Sequence, residues 1–205
     1  MPTALQIPQK AIDLILSSEA IEQFYKWPGG GSGITGGYGC DIGADPASLE
    51  FWRGILSNDQ MALLATAKGI TGRAAAQIQT RFAGIRIGKE AAMKVFMAIS
   101  LPREITITTK AYPGIEKMPP EVLGAMTSIV YNRGAAMSGD RRREMAAIRD
   151  TITAFAAGKI KQNAALVQIA KQIRSMKRLW VGQGLDGLLK RRDAEARLVE
   201  SAITA

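Results

Sequence analysis

The chain has 205 residues, 47% of them hydrophobic, with a formal charge of +9 and no histidine. The missing histidine excludes Ser-His-Asp and Cys-His chemistry and most zinc sites; with Cys40 as the one cysteine, an internal disulfide and a cysteine-based metal cluster are excluded too. No apolar run approaches the ~18 residues of a membrane span, and the N-terminus lacks the basic and apolar regions of a cleavable signal, so cytoplasmic synthesis is expected.

Residues 1 to 9 read as a loose lead-in between Pro2 and Pro8. Helical periodicity then predicts a first helix over about 10 to 26, with Ile12, Ile15 and Leu16 on one face, stopped near Pro28. At about 100° per residue, Glu19 falls on that apolar side, where a carboxylate is costly unless a partner serves it. Glu22 lies at the margin of the face and is the poorer candidate.

Seven glycines follow between Gly29 and Gly39, in a segment ending at Asp41 and Gly43. Such a run suits tight turns and close approach of backbone to a ligand. A flexible linker is the plain alternative. The regular spacing of Ile34, Tyr38 and Ile42 speaks against it. A phosphate loop is disfavoured because no Gly-Lys-Ser/Thr follows. One carboxylate before a tight loop and one after it, Glu19 and Asp41, are the raw material of a glycoside hydrolase.

Ala44 to Ser57 reads as a connector with a turn at Asp45-Pro46. Ser57 or Asn58 is placed to cap a helix through Ala67. Helices are expected over about 72 to 82 and from Ile87 to about Ser100, before Pro102. Ile105-Thr106-Ile107-Thr108 alternates like a strand, with a helix end as the alternative. Pro119-Pro120 suit a first helical turn, followed by Val122, Met126 and Ile129 on one face. Asn132 and Gly134 fit a polar helix end and the glycine after it, a structural role. Met145, Ile148, Ile152 and Phe155 mark another inward stripe, and Leu166, Ile169, Ile173, Met176 and Trp180 a further one. From Arg141 onward, 14 Lys or Arg stand against 6 Asp or Glu, a bias that attracts polyanions. No basic recognition pair of short helices is present, so nucleic acid is not expected as a partner.

Three stretches resemble phage-type lysozymes (endolysins). The first is Glu19, then Tyr25-Lys26, then Thr35-Gly36-Gly37-Tyr38-Gly39, like the glutamate, hairpin and Thr before G-x-G of that family. The second is Val130-Tyr131-Asn132-Arg133-Gly134, like a V-x-N-x-G string. The third is Gly187-Leu188-Leu189-Lys190-Arg191-Arg192-Asp193-Ala194-Glu195, like a terminal G-L-x-x-R-R-x-A-E helix. The common family Asp after Tyr-Lys is replaced here by Trp27. Asp41, six residues after Thr35, instead resembles the pesticin-like muramidase branch.

The resemblance implies an α+β, mostly α, lysozyme-like fold forming a single catalytic domain over 1–205. A small hairpin lobe at 28–43 would pack on a helical body at about 60–205, with a cleft between. It implies hydrolysis of the β-1,4 bond between N-acetylmuramic acid and N-acetylglucosamine in peptidoglycan. Glu19 would protonate the leaving oxygen, Asp41 would stabilise charge on the sugar or help activate water, and Thr35 would hold that water. Tyr38 and Gly36 are candidate sugar contacts, with core packing an equal reading for Tyr38. The terminal helix reads as solvated, packed back on the lobe, with Arg191–Glu195 and Asp193–Arg197 spaced as i,i+4 pairs. No metal or cofactor is implied. Expected partners are peptidoglycan and, by charge, anionic envelope polymers, the protein acting as a monomer without a membrane anchor. A phage endolysin acting at the cell wall is favoured over a delivered muramidase toxin or a non-catalytic basic binding protein on the same fold.

Overall fold

The computed structural model describes residues 6–19 and 22–204. The first part of the expected lead-in, residues 1–5, lies outside the described residues, as does the side chain of Glu22. The chain divides into two compact units, one of Met1–Ser18 with Arg103–Ala205, the other of Glu19–Pro102. The helices between 58 and 102 therefore belong with the sheet. That differs from a 28–43 lobe set against a helical body from about 60.

In the mainly helical unit, α1 (Gln9–Ser18) starts where the Pro8 carbonyl accepts from Ala11 N and Ile12 N, and it buries Ala11, Ile12 and Ile15. It stops at Ser18, not near residue 26. The Ser17 and Ser18 hydroxyls both donate to the Leu14 carbonyl, at 3.1 and 2.7 Å, competing with the main-chain ladder. The later helices are α6 (Pro120–Arg133), α7 (Arg143–Ala156), α8 (Gln162–Ser175) and α9 (Asp186–Glu200).

Pro120 opens α6 as expected, and every residue from Val122 to Val130 is buried. Its Gly124 admits α1 closely, since a Cβ there would lie 2.5 Å from the Ala11 Cβ. Gly134 closes the helix at φ 73°, donating to the Val130 carbonyl, and Asn132 Oδ1 accepts from Arg192 Nη2 at 3.5 Å. The stripes of α7 and α8 point inward as read, except that Phe155 is only half-buried.

The terminal helix is not solvated on its charged side. Arg191, Arg192 and Glu195 are all buried. Glu195 Oε1 accepts from Ser128 Oγ at 2.6 Å, Arg192 Nη2 at 2.8 Å and Arg191 Nε at 3.3 Å, and Oε2 lies 2.7 Å from Arg192 Nε. Asp193 is held by Lys177 Nζ at 2.8 Å. The Arg133 and Arg192 guanidinium carbons lie 5.0 and 5.6 Å from the Trp180 ring centre. Burial, then Arg142 and Arg192, bring the Arg133 guanidinium down to about 10.

In the second unit, Glu22–Lys26 is a strand (β1), not the end of a helix, in keeping with its Phe24-Tyr25 pair. It pairs antiparallel with β2 (Thr35–Gly37), which pairs antiparallel with β3 (Cys40–Asp41). Short 3-10 turns at Pro46–Trp52 and Gln79–Phe82 flank α2 (Asn58–Ala65) and α3 (Gly72–Ile78). Ser57 caps α2 in a full capping box with Gln60.

Helix α4 (Lys89–Val95) runs through a π turn at Phe96–Ser100 into α5 (Leu101–Ala111). The expected break before Pro102 does not occur. The wide turn, with Leu101 N donating to the Phe96 carbonyl, carries the chain past a ring that an α-helix interior resists. The stretch that alternates like a strand, 105–108, lies inside α5. Thr108 and Thr109 place their hydroxyls on the carbonyls of Glu104 and Ile105, at 2.7 and 2.9 Å. No helix among the described residues is long and apolar enough to cross a membrane.

Candidate active site

The glycine-rich segment is a built platform. Gly36 lies where a Cβ would stand 2.6 Å from the Tyr25 ring, and Gly37, at φ 58°, where one would stand 2.7 Å from Trp52. Tyr25 and Trp52 meet edge to face at 6.0 Å under the sheet. Burial first, and then Cys40, push the Tyr25 hydroxyl above the usual phenol range. Cys40 is itself buried. Tyr38 is only 4% exposed and tilts against Phe96 at 5.5 Å, so core packing is the reading its ring takes. Gly36 packs closely on the Tyr25 ring.

Across β2 and β3, Thr35 stands opposite Asp41 and Gly36 opposite Cys40. Lys26 of β1 is the partner of Thr35 on the other side, so Lys26, Thr35 and Asp41 form one row across the sheet. Thr35 is 7% exposed, Asp41 half-buried and Lys26 exposed. Thr35, in the middle of the row, is thus buried between an exposed Lys26 and a half-buried Asp41.

Two of these side chains address one residue, Gly33, on the peptide groups either side of its Cα. Gly33 N donates to Asp41 Oδ2 at 2.9 Å and Oδ1 at 3.0 Å, while the Gly33 carbonyl accepts from Thr35 Oγ1 at 3.2 Å. Asp41 Oδ1 also accepts from Ala44 N at 2.9 Å, and the Asp41 carbonyl from Asp45 N at 2.8 Å. Both carboxylate oxygens are therefore engaged by main-chain N–H groups. This bonding was not evident in the sequence, because it converges on main-chain atoms of Gly33. The signal available was the glycine itself.

Only glycine fits there. A Cβ on Gly33 would lie 2.4 Å from the Gly43 Cα and 2.5 Å from Asp41 Oδ1, and one on Gly43 would lie 2.1 Å from the Ile70 carbonyl oxygen. The 69–72 loop completes the support, with Gly72 N on the Ser32 carbonyl at 2.8 Å and Gly69 N on the Gly43 carbonyl at 3.1 Å.

Glu19 directly follows the last residue of α1 and opens the sheet-bearing unit, on the segment leading into β1. Its side chain is half-buried. The termination of α1 places it at a junction, not on a helix face. Asn132 and Gly134 belong to the other unit, at the end of α6. Among the described residues no group of three metal-binding side chains comes together.

A mostly helical chain carrying a small three-stranded antiparallel sheet is the α+β architecture of lysozyme-like proteins, and this is the fold of the chain. A solved structure similar to it is that of the P1 phage endolysin Lyz in its active form. The TM-score is 0.52 and the identity 18%, over 97% of this chain and 86% of that one. No family model and no curated protein matches the sequence.

Proposed function

We propose that the protein is a peptidoglycan muramidase, cleaving the β-1,4 bond between N-acetylmuramic acid and N-acetylglucosamine. The observation that carries the reading is Thr35 set opposite Asp41 on the hairpin of a lysozyme-like fold, with Glu19 opening the same unit. Glu19 is the acid that protonates the leaving glycosidic oxygen. A water held at Thr35 attacks the anomeric carbon from the other face of the sugar, which inverts its configuration; the surplus proton of that water passes to solvent, from which Glu19 regains the proton it gave to the leaving oxygen. Asp41 belongs to this second side of the reaction.

The six-residue step from Thr35 to Asp41, and Trp27 where the common family Asp would stand, favour the pesticin-like branch. The phage endolysin among the structural neighbours favours host lysis as the biological setting. The net charge of +9 suits an anionic wall as target.

The test is digestion of purified peptidoglycan followed by mass spectrometry of the fragments. New reducing ends on N-acetylmuramic acid are expected. New ends on N-acetylglucosamine, or cut peptide stems with intact glycan, would overturn the assignment.

A further inference from the structure

We infer that Asp41 is a positioning residue that acts on the reaction only through Thr35, by way of Gly33, whose N–H it holds and whose carbonyl Thr35 bonds. The inference rests on the muramidase reading and deepens it. The geometry is closed: Asp41 grips the Gly33 N–H with both oxygens, and Thr35 donates its hydroxyl proton to the carbonyl of that same residue. A carboxylate accepting several main-chain N–H bonds is fixed in place, and its second contact, to Ala44 N, locks the far end of the hairpin.

The consequence for Thr35 is chemical. A hydroxyl has one proton and two acceptor lone pairs. With its proton given to the Gly33 carbonyl, Thr35 offers a water acceptor capacity alone. The hydroxyl thus orients the water by accepting one of its protons, leaving an oxygen lone pair of the water to face the sugar. The direction of that acceptor is set by where Gly33 sits. Gly33 in turn is set by Asp41 and by its close contact with Gly43, which no side chain could share. Asp41 is thereby tied to main chain, where the resemblance implies a carboxylate that stabilises charge on the sugar or helps activate water.

The variants separate these roles. Thr35→Ser keeps the hydroxyl and should stay within a fewfold of wild type. Thr35→Val keeps the shape, loses the acceptor, and should lower kcat about 100-fold with KM little changed. Asp41→Asn puts an amide NH2 against a main-chain N–H, shifts Gly33, and should lower kcat about 10–100-fold with KM little changed.

The decisive readout is the double-mutant cycle. In the Thr35→Val background, Asp41→Asn should cost less than about threefold further in kcat, because the group it works through is gone. A larger further loss, or no loss from Asp41→Asn alone, overturns the inference. A merely structural Asp41 would lower activity equally in both backgrounds. If Asp41→Asn does not fold, hydrogen exchange in the wild-type chain decides. The Gly33 amide should be protected, and exchange at the rate of an open loop overturns the proposal. Failure of the muramidase reading shows separately, in an unmodified glycan or an active Glu19→Gln.

Discussion

Gly33→Ala is the substitution whose cost can be worked from the structure. The new methyl would stand 2.4 Å from the Gly43 Cα, 2.7 Å from Gly43 N and 2.5 Å from Asp41 Oδ1. Non-bonded carbon atoms rest at about 3.5–4.0 Å, so two main-chain atoms and a pinned carboxylate must all retreat. Overpacking of this kind costs about 1–3 kcal/mol, and contacts with main chain belong at the upper end. Loss of a glycine from the unfolded chain returns about 0.4–1 kcal/mol. The net is about 2 kcal/mol, or about 4–8 °C in melting temperature for a chain of this size.

Gly31→Ala is the control, since a Cβ there meets nothing within 4 Å. Thermal unfolding of the two variants, with limited proteolysis of the 29–44 segment, reads the difference. Gly33→Ala should melt lower and be nicked faster. Equal melting and equal nicking would refute the claim that the platform is closed at Gly33.

The charged clusters give further expectations. Glu195→Gln removes the one carboxylate between Arg191 and Arg192. Breaking a buried pair on one side costs about 3–5 kcal/mol, read as a drop in the urea midpoint, and an unchanged midpoint would contradict the burial of this cluster. Hydrogen bonds from Arg174, opposed by some burial, hold the Glu200 carboxyl below its ordinary range. Its contribution to stability is present above the ordinary carboxylate value and is lost as pH falls through the lowered one. Because the pair is half-exposed, Glu200→Gln should cost less than about 1 kcal/mol at neutral pH and nothing in acid, and an equal cost at both would exclude the linkage. Arg141, Lys159 and Lys161 are exposed. Reversing their charge should slow lysis of whole walls and weaken its salt dependence, leaving cleavage of a short neutral glycan unchanged, since salt screens such attraction over about 8 Å. Equal losses on both substrates would show a role in folding or chemistry instead.

Where the sequence was legible, one local signal dominated. Ser57 and Gln60 announce their capping box, and Pro119-Pro120 the start of α6. The stripe from Leu166 to Trp180 follows a single periodic face, and all five of its residues are buried. The hairpin implied by the resemblance at 28–43 is present as β2 and β3, with Thr35 opposite Asp41.

The misreadings arose where two signals compete. Apolar periodicity ran on past Ser18, but two serines turned back on the Leu14 carbonyl. The alternation of 105–108 leaves strand and helix end both open, and the threonines, bonded to carbonyls within α5, go with the helix. A charged run such as Arg191–Glu195 reads as solvated because periodicity counts charge as outward. Burial becomes possible through mutual pairing and Ser128, which lies 67 positions from Glu195. The bonding of Asp41 to a main-chain amide leaves no trace in side-chain spacing.

The central claim is that Glu19 is the proton donor of a muramidase. Purified Glu19→Gln and wild-type protein should be compared on the same glycan strands. Borohydride reduction after digestion converts each new N-acetylmuramic acid end into a countable alcohol. The amide keeps the shape of the side chain and cannot give up a proton, so the variant should keep its melting temperature and form that alcohol about 10²–10⁴-fold more slowly. Formation at the wild-type rate by a folded Glu19→Gln would contradict the account.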